Sequence, residues 1–261
     1  MPKFNANLSM MFTEVDFLDR FAEAAAVGFK GVEFLFPYDW PIGEIGERLA
    51  TNDLAQVLFN MPPGDWDAGE RGLAALPSRT GEFQDGVGRA LDYAAALGCP
   101  QVHCMAGVAA PGLAIEEMEE TFVANLRWAA DAAAARNVRI LVEPLNSRDV
   151  PGYLLCHSAH ARHIIEATGS SNVFLQYDLY HMQIMEGDLA ATIDANWDII
   201  RHFQVSSVPG RQEPPAGEVN VAYLFDHIDA GGYDGWMGCE YRPATTTREG
   251  LGWLAPWGIG V

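Results

Sequence analysis

Short apolar runs alternate with segments of helical period from one end of this chain to the other. That alternation limits the fold more than any other feature. The runs begin near 4–9 and continue as GVEFLF from Gly31, LAQVLFN from Leu54, PQVHCM from Pro100, VRILVE from Val138, VFLQYD from Val173, HFQVSS from His202 and GWMGCE from Gly235. Such runs, bounded by turn signals, read as buried strands. Helical stretches lie near 13–27, 42–50, 82–97, 115–136, 158–168 and 248–254. In the first, Thr13 is placed as the cap, Phe17, Leu18, Phe21 and Ala25 repeat at helical spacing, and Gly28 is the terminator. Gly98 closes the third. In the segment from 115, Ile115, Met118, Phe122, Leu126 and Ala129 share one face, with Glu116 and Glu117 in the first turn and Arg136 in the last. Eight strand–helix units predict a parallel sheet. At 261 residues they fit a closed (β/α)8 barrel, a TIM barrel, spanning 1–261 as a single domain. A doubly wound open sheet would carry a glycine-rich phosphate loop after its first strand, and NLSMMFTE is not one. The connection MPPGDWDAGERGLAALPSR is an elaborate Pro- and Gly-rich loop.

Charge narrows the partners. The net charge is -19, and lysine occurs only at Lys3 and Lys30. Such a surface repels phosphate backbones and anionic membranes, so neither nucleic acid nor membrane is an expected partner. An anionic substrate would need a local cationic clamp. No apolar stretch reaches the ~18 residues of a membrane span, and the first residues lack the sections of a signal peptide, so the expected location is cytoplasmic. Cys99, Cys104, Cys156 and Cys239 form no C-x-x-C pair and are expected to be reduced thiols.

In a barrel of this kind the C-terminal strand ends point into the active-site mouth. The fifth run ends in Glu143, the sixth in Asp178 and the eighth in Glu240, while the seventh carries Gln204. Their spacings of 35, 26 and 36 residues each match about one repeat, so four neighbouring strands deliver a side-chain oxygen to one height. Three carboxylates gathered out of water repel one another and lose hydration, at several kcal/mol each unless compensated. Either their pKa values rise or a cation sits among them. Lysine is absent nearby, and an all-oxygen donor set suits Mg2+ or Mn2+ better than zinc.

The stretches NLSMMFTE, GVEFLFPYDW, QVLFNMPPGDWDAGERGLAALP, LVEPLNSRDVPGYLL, QYDLYHMQ and VPGRQEPPAGEVN together resemble the hydroxypyruvate isomerase family, within the xylose-isomerase-like barrels. The resemblance covers nearly the whole chain. It implies a divalent metal and aldose–ketose isomerisation of a small hydroxy-oxo acid, hydroxypyruvate to tartronate semialdehyde. Relatives of this kind acting on 2-oxo-tetronate or another sugar acid are the alternative. By position, Glu143, Asp178, Gln204 and Glu240 match the metal-binding residues, Glu143 and Glu240 also the acid/base pair, and His181 and Arg211 match residues that contact substrate oxygens. The chain departs from the expected pattern after Gln204, where it reads Ser206-Ser207. DNA-repair endonucleases on a similar barrel use a histidine-rich multi-zinc centre, which this oxygen-rich set and net charge disfavour.

Other residues stay open between site and scaffold. Glu33, His103, Asn7 and Asn60 line the mouth or fill the core; Trp40 and Trp66 wall a pocket or pack loops; Tyr177 and Tyr180 are expected to pack. Arg148 and Arg242 are further candidates for the carboxylate. His157, His160 and His163 read as a polar helix stripe. The loop from Met61 is long enough to cover a neighbouring copy, so a homo-oligomer is an open expectation.

Overall fold

The structure, a computed structural model, describes residues 2–260; Met1 and Val261, the ends of the expected span, lie outside the described residues. Eight strands form where the apolar runs place them: β1 Lys3–Asn7, β2 Gly31–Phe34, β3 Ala55–Asn60, β4 Gln101–His103, β5 Arg139–Val142, β6 Val173–Asp178, β7 Ile200–Val205 and β8 Trp236–Cys239. Each pairs in parallel with its neighbour, and β8 returns to β1 through Lys3↔Trp236 to Ala6↔Cys239, so the sheet closes into a barrel. Around it run α1 Arg20–Ala26, α2 Ile42–Thr51, α3 Thr80–Leu97, α4 Ile115–Ala134, α5 Ser158–Thr168, α6 Leu179–Met185, α7 Leu189–Asn196, α8 Val221–Ala230 and α9 Thr247–Gly250.

The side-chain period of two divides each strand between two environments. Phe4 packs edge-on against Phe225 of α8, Phe34 against Phe21 of α1, and Phe203 meets Trp197 and Tyr233. These outward residues form the apolar layer between sheet and helices, and each fully buried side chain contributes about 1.5–3 kcal/mol. Alternate positions turn inward. There Glu33 accepts hydrogen bonds from Asn5 (2.8 Å), Asn7 (3.1 Å) and Gln204 (2.8 Å), with His202 Nε2 also at 2.8 Å. Barrel interiors are usually filled by branched aliphatics; here a layer just below the mouth is polar and joined across strands β1, β2 and β7. Two register shifts help to level it. Glu33 pairs with Leu58 instead of Val57, and Gln176 with His202 instead of Arg201.

Three details differ from the sequence expectations. Thr13 caps no helix: the chain first crosses the barrel top, Phe12 donates its N–H to Thr247 Oγ1 (2.6 Å), and a 3-10 turn at Phe17–Asp19 then leads into α1. The last helix is short, opening with a Thr246/Glu249 capping box and passing into the 3-10 turns Leu251–Trp257. Ile115, placed on the apolar face of α4, is 44% exposed in the first turn, while Met118, Phe122, Leu126 and Ala129 are buried. Gly98 does close α3, at φ 64°. All four cysteines are free thiols. No helix of the described residues is long and apolar enough to cross a membrane.

Gly238 of β8 faces the polar layer, where an added Cβ would stand 2.6 Å from Glu33 Oε2. Because Glu33 is held from four sides, it has no easy retreat. Gly238→Ala is expected to destabilise the fold by about 1–3 kcal/mol and to lower the thermal midpoint by several degrees. An unchanged midpoint would mean that the Glu33 cluster is loose.

Candidate active site

At the C-terminal ends of the strands lies a cavity of about 450 Å³, lined among others by Asn60, Trp66, Arg71, His103, Glu143, Asp149, Tyr180, His181, Arg211, Glu240 and Arg242. Glu143 follows β5 by one residue and Glu240 follows β8 by one, while Asp178 ends β6 and Gln204 stands next to last in β7. Glu143, Asp178, Gln204 and Glu240 are all buried.

Asp178 has two tasks. Its Oδ1 accepts the Tyr180 N–H (2.8 Å) and so caps α6, which starts directly after the strand. Its Oδ2 is buried without a hydrogen-bond partner among the described residues. The immediate turn into α6 sets His181 one helical turn on, with Nε2 3.6 Å from that free oxygen. Strand followed at once by helix is thus what brings Asp178 and His181 to one place.

His181 is neutral: burial, then the nearby Arg211 charge, hold its pKa well below the usual value. Its Nδ1 accepts the backbone N–H of Asn146 (3.0 Å). A neutral imidazole with one accepting nitrogen carries its proton on the other, so Nε2–H is the donor aimed at the site. Glu143, Asp178 and His181 have ligand atoms within 4.8 Å of one another, as a metal group would. With its proton on Nε2, beside Arg211 Nη2 at 3.4 Å, His181 is suited to a substrate oxygen; with that proton released, Nε2 would complete the metal group.

Arg211 enters from the loop after β7. Ser207, where the resemblance leads one to expect another residue, accepts the Gln212 N–H on Oγ (2.9 Å) and the Arg211 N–H on its carbonyl (2.8 Å). These bonds close a tight turn with Arg211 itself at φ 50°. The guanidinium donates to Glu240 Oε1 (2.9 Å), lies 3.7 Å from Asp178 and 3.6 Å from Asp149, and stacks on Tyr180. Burial works against its charge, but Glu240, Asp178 and Glu143 outweigh it and raise its pKa.

The carboxyls respond to this crowding. Burial, with Glu240 and Asp178 adding repulsion, pushes Glu143 well above the carboxylate range. Burial takes Glu240 up to about 8 despite Arg211, and Asp178 to about 6. Glu33, one layer below, goes the other way: burial is outweighed by His202 and by hydrogen bonds from His202, Gln204 and Asn5. Gln204 bridges the two layers, donating Nε2 to Glu33 and to Glu240 while its Oε1 accepts from Gln176 (2.6 Å). In this arrangement its amide nitrogen faces the acids, so ligation through its oxygen requires the carboxamide to turn over.

A hard cation fits these residues. Glu143 Oε1 and Asp178 Oδ2 are buried oxygens with no hydrogen-bond partner among the described residues, and three carboxylates share one guanidinium. A group held by Glu143, Asp178 and Glu240, with Gln204 after such a turn, would compensate the remaining charge.

Several residues are placed differently from the sequence reading. Tyr180, expected to pack, lines the cavity, donates its OH to Asp149 (2.9 Å) and carries the Arg211 plane. Asn146, Asp149, Gln176 and His202 were not singled out, and only the partners around them reveal their roles. Arg71 was missed as well; a lone arginine in a long loop carries no pattern. Trp66 walls the cavity, whereas Trp40 stacks on Phe17 away from it. Arg242 lines the cavity and Arg148 does not. Tyr177 packs in the core as expected, and His157, His160 and His163 lie at or in α5, outside the cavity.

This closed parallel barrel gathers acids, an arginine and an oxygen cluster able to take a cation at its strand ends. The chain belongs to the xylose isomerase-like TIM barrel family, whose model matches residues 21–257. It is 51% identical to the 2-oxo-tetronate isomerase of Cupriavidus necator over 98% of this chain and 99% of that one. It is 48% identical to the hydroxypyruvate isomerase of Escherichia coli K12, over 98% and 100% of the two chains. A solved structure from Brucella melitensis, described as an AP endonuclease, family 2, superposes with a TM-score of 0.97 at 51% identity, covering 98% of this chain and 99% of that one.

The raised carboxyl pKa values set a pH dependence. Below the unfolded value of 4.5 the protonated Glu240 contributes its full stability, and that contribution is lost as pH rises through about 8. The depressed histidines His103 and His181 act with the opposite sign, but only below their unfolded value of 6.5. In chelator-treated protein the thermal midpoint is therefore expected to fall between pH 6.5 and 8.5, and Mg2+ or Mn2+ should reduce that fall. A midpoint that rises over this interval, or is untouched by either ion, would contradict the charge assignment.

Proposed function

We propose that this enzyme is an isomerase of the aldose–ketose type that interconverts hydroxypyruvate and tartronate semialdehyde, with Mg2+ or Mn2+ as its ion. The observation that carries the reading is the pair Glu143 and Glu240, both buried at the barrel mouth, mutually repelling and differently partnered. A divalent cation on the oxygen cluster would polarise the substrate carbonyl and acidify the neighbouring C–H.

The residues of the chain then divide the proton work. Burial keeps Glu240 protonated in the cation-free site; Arg211, 2.9 Å away, and a bound cation would both favour its ionised form, so Glu240 is the base that takes a proton from the hydroxymethyl carbon. Glu143 has no such cation in direct contact and retains its proton more readily; it delivers one to the adjacent carbon of the enediolate. The hydroxyl proton moves to the former carbonyl oxygen, so atoms balance with no net oxidation. His181 Nε2–H and Arg211 steady the oxygens that gain charge. Groups whose environments push their pKa values apart are suited to acid and base roles in one reaction.

The isomerisation of 2-oxo-tetronate, one carbon longer, is the second reading. It uses the same residues, and relatives at 51% and 45% identity carry that name. An endonuclease role is disfavoured by the net charge of -19 and by carboxylates in place of a histidine-rich centre. The same charge supports a protein that binds neither nucleic acid nor membrane, and a cytoplasmic location belongs to this proposal. A homo-oligomer, with the long loop after β3 set against a neighbouring copy, belongs to the same proposal.

Glu143→Gln and Glu240→Gln are each expected to keep the fold and lose about 100- to 10,000-fold in turnover, measured on hydroxypyruvate and 2-oxo-tetronate with Mg2+ and Mn2+. Wild-type turnover in D2O should place deuterium on carbon. Either variant at near-wild-type rate refutes its assigned role.

A further inference from the structure

We infer that the substrate's carboxylate is held by Arg71, with Arg242 as second cation, and that Arg211 serves the reacting end alone. The inference rests on the isomerase reading and assigns the residues that select acids over neutral sugars.

Three arginines line the cavity, and they differ in what their charge already faces. Arg211 is committed to Glu240, Asp149 and Asp178, at 2.9, 3.6 and 3.7 Å. A substrate carboxylate arriving there would meet a guanidinium whose field is spent on three acids. Arg71 has no carboxylate within ion-pair reach among the described residues. Its Nη1 donates to the carbonyl oxygens of Trp66 (3.0 Å) and Glu70 (2.7 Å), and its plane stacks on the Trp66 ring, 3.7 Å from the centroid. That anchors one side of the fork. Nε and Nη2 have no hydrogen-bond partner among the described residues. Arg242 donates its backbone N–H to the Arg211 carbonyl (2.9 Å), and its side chain likewise has no ion-pair partner among them.

The loop that carries Arg71 is pinned. Gly72 sits at φ +116°, where a Cβ would stand 2.6 Å from the Met105 carbonyl carbon. Its N–H donates to Pro63 (2.8 Å), and Ala75 donates to Ala106 (3.0 Å). Glu70 is tied to Arg79 at 2.5 Å. Only glycine permits so close a seat against the end of β4, and the seat fixes the residue before it. Arg71 is thus a preorganised cation in a chain with only 16 lysines and arginines against 35 acids. A carboxylate entering a cavity walled by Glu143, Asp149 and Glu240 needs such an uncommitted partner, and an arginine fork meets it with paired hydrogen bonds.

The test uses two probes of equal length, glycerate and glycerol, in calorimetric titrations of the Mg2+-loaded enzyme, beside steady-state kinetics on hydroxypyruvate. Arg71→Met should weaken glycerate binding about 10- to 100-fold and raise KM in step, with a smaller effect on kcat. Glycerol binding should not change. Arg71→Lys should recover part of the loss, and Arg242→Met should shift glycerate in the same direction by less. Arg211→Met should fall mainly in kcat. Glycerate binding by Arg71→Met equal to wild type, or equal losses for glycerate and glycerol, overturns the assignment. If the wild type isomerises no hydroxy-oxo acid, the isomerase reading fails, while the glycerate titration still decides the role of Arg71.

Discussion

Charge confined in a buried barrel mouth organises this molecule. Glu143, Asp178 and Glu240 are brought within each other's field by three separate strands, and one guanidinium is set among them. Each acid loses hydration on folding, at a cost of several kcal/mol if left alone. Much of the surrounding polar structure answers that cost. Arg211 is held in a left-handed turn to reach two of the acids, and Tyr180 supplies an aromatic face beneath it. Asn146 fixes the tautomer of His181, so the donor beside Asp178 is defined. What the side chains leave uncompensated is what a divalent cation would meet.

The layer below keeps this arrangement in register. Glu33 is ionised in the barrel interior because His202, Asn5, Asn7 and Gln204 surround it. Gln204 then links that layer to Glu240, so one carboxamide ties the position of the interior to that of the acid at the mouth. The small residue at Gly238 leaves the space that Glu33 fills. A polar interior of this kind gives up aliphatic packing, and the apolar layer between sheet and helices carries the burial instead.

The strand-end acids were legible because a parallel barrel repeats one geometry eight times. Glu143, Asp178 and Glu240 end apolar runs, and an acid there has few other reasons to exist. The apolar body of Tyr180 suggests packing, whereas its OH and ring face serve Asp149 and Arg211. Thr13 had the form of a helix cap, but the chain spends that stretch crossing the barrel top toward Thr247, 235 residues from Phe12 in sequence. Such long-range closure leaves no local pattern.

Strand period, helix period and the order of their alternation determined the closed barrel, since each is a local property that every repeat expresses again. The identity of the acids at the strand ends came with it. Only the tertiary structure decided which charges are already answered and which are free. Arg211, Arg71 and Arg242 are the same residue type in loops of similar composition. One faces three carboxylates, and the other two face the cavity without an acid partner among the described residues. That difference arises from distances between segments far apart in the chain, and Coulomb interactions depend on those distances and on burial, not on sequence position.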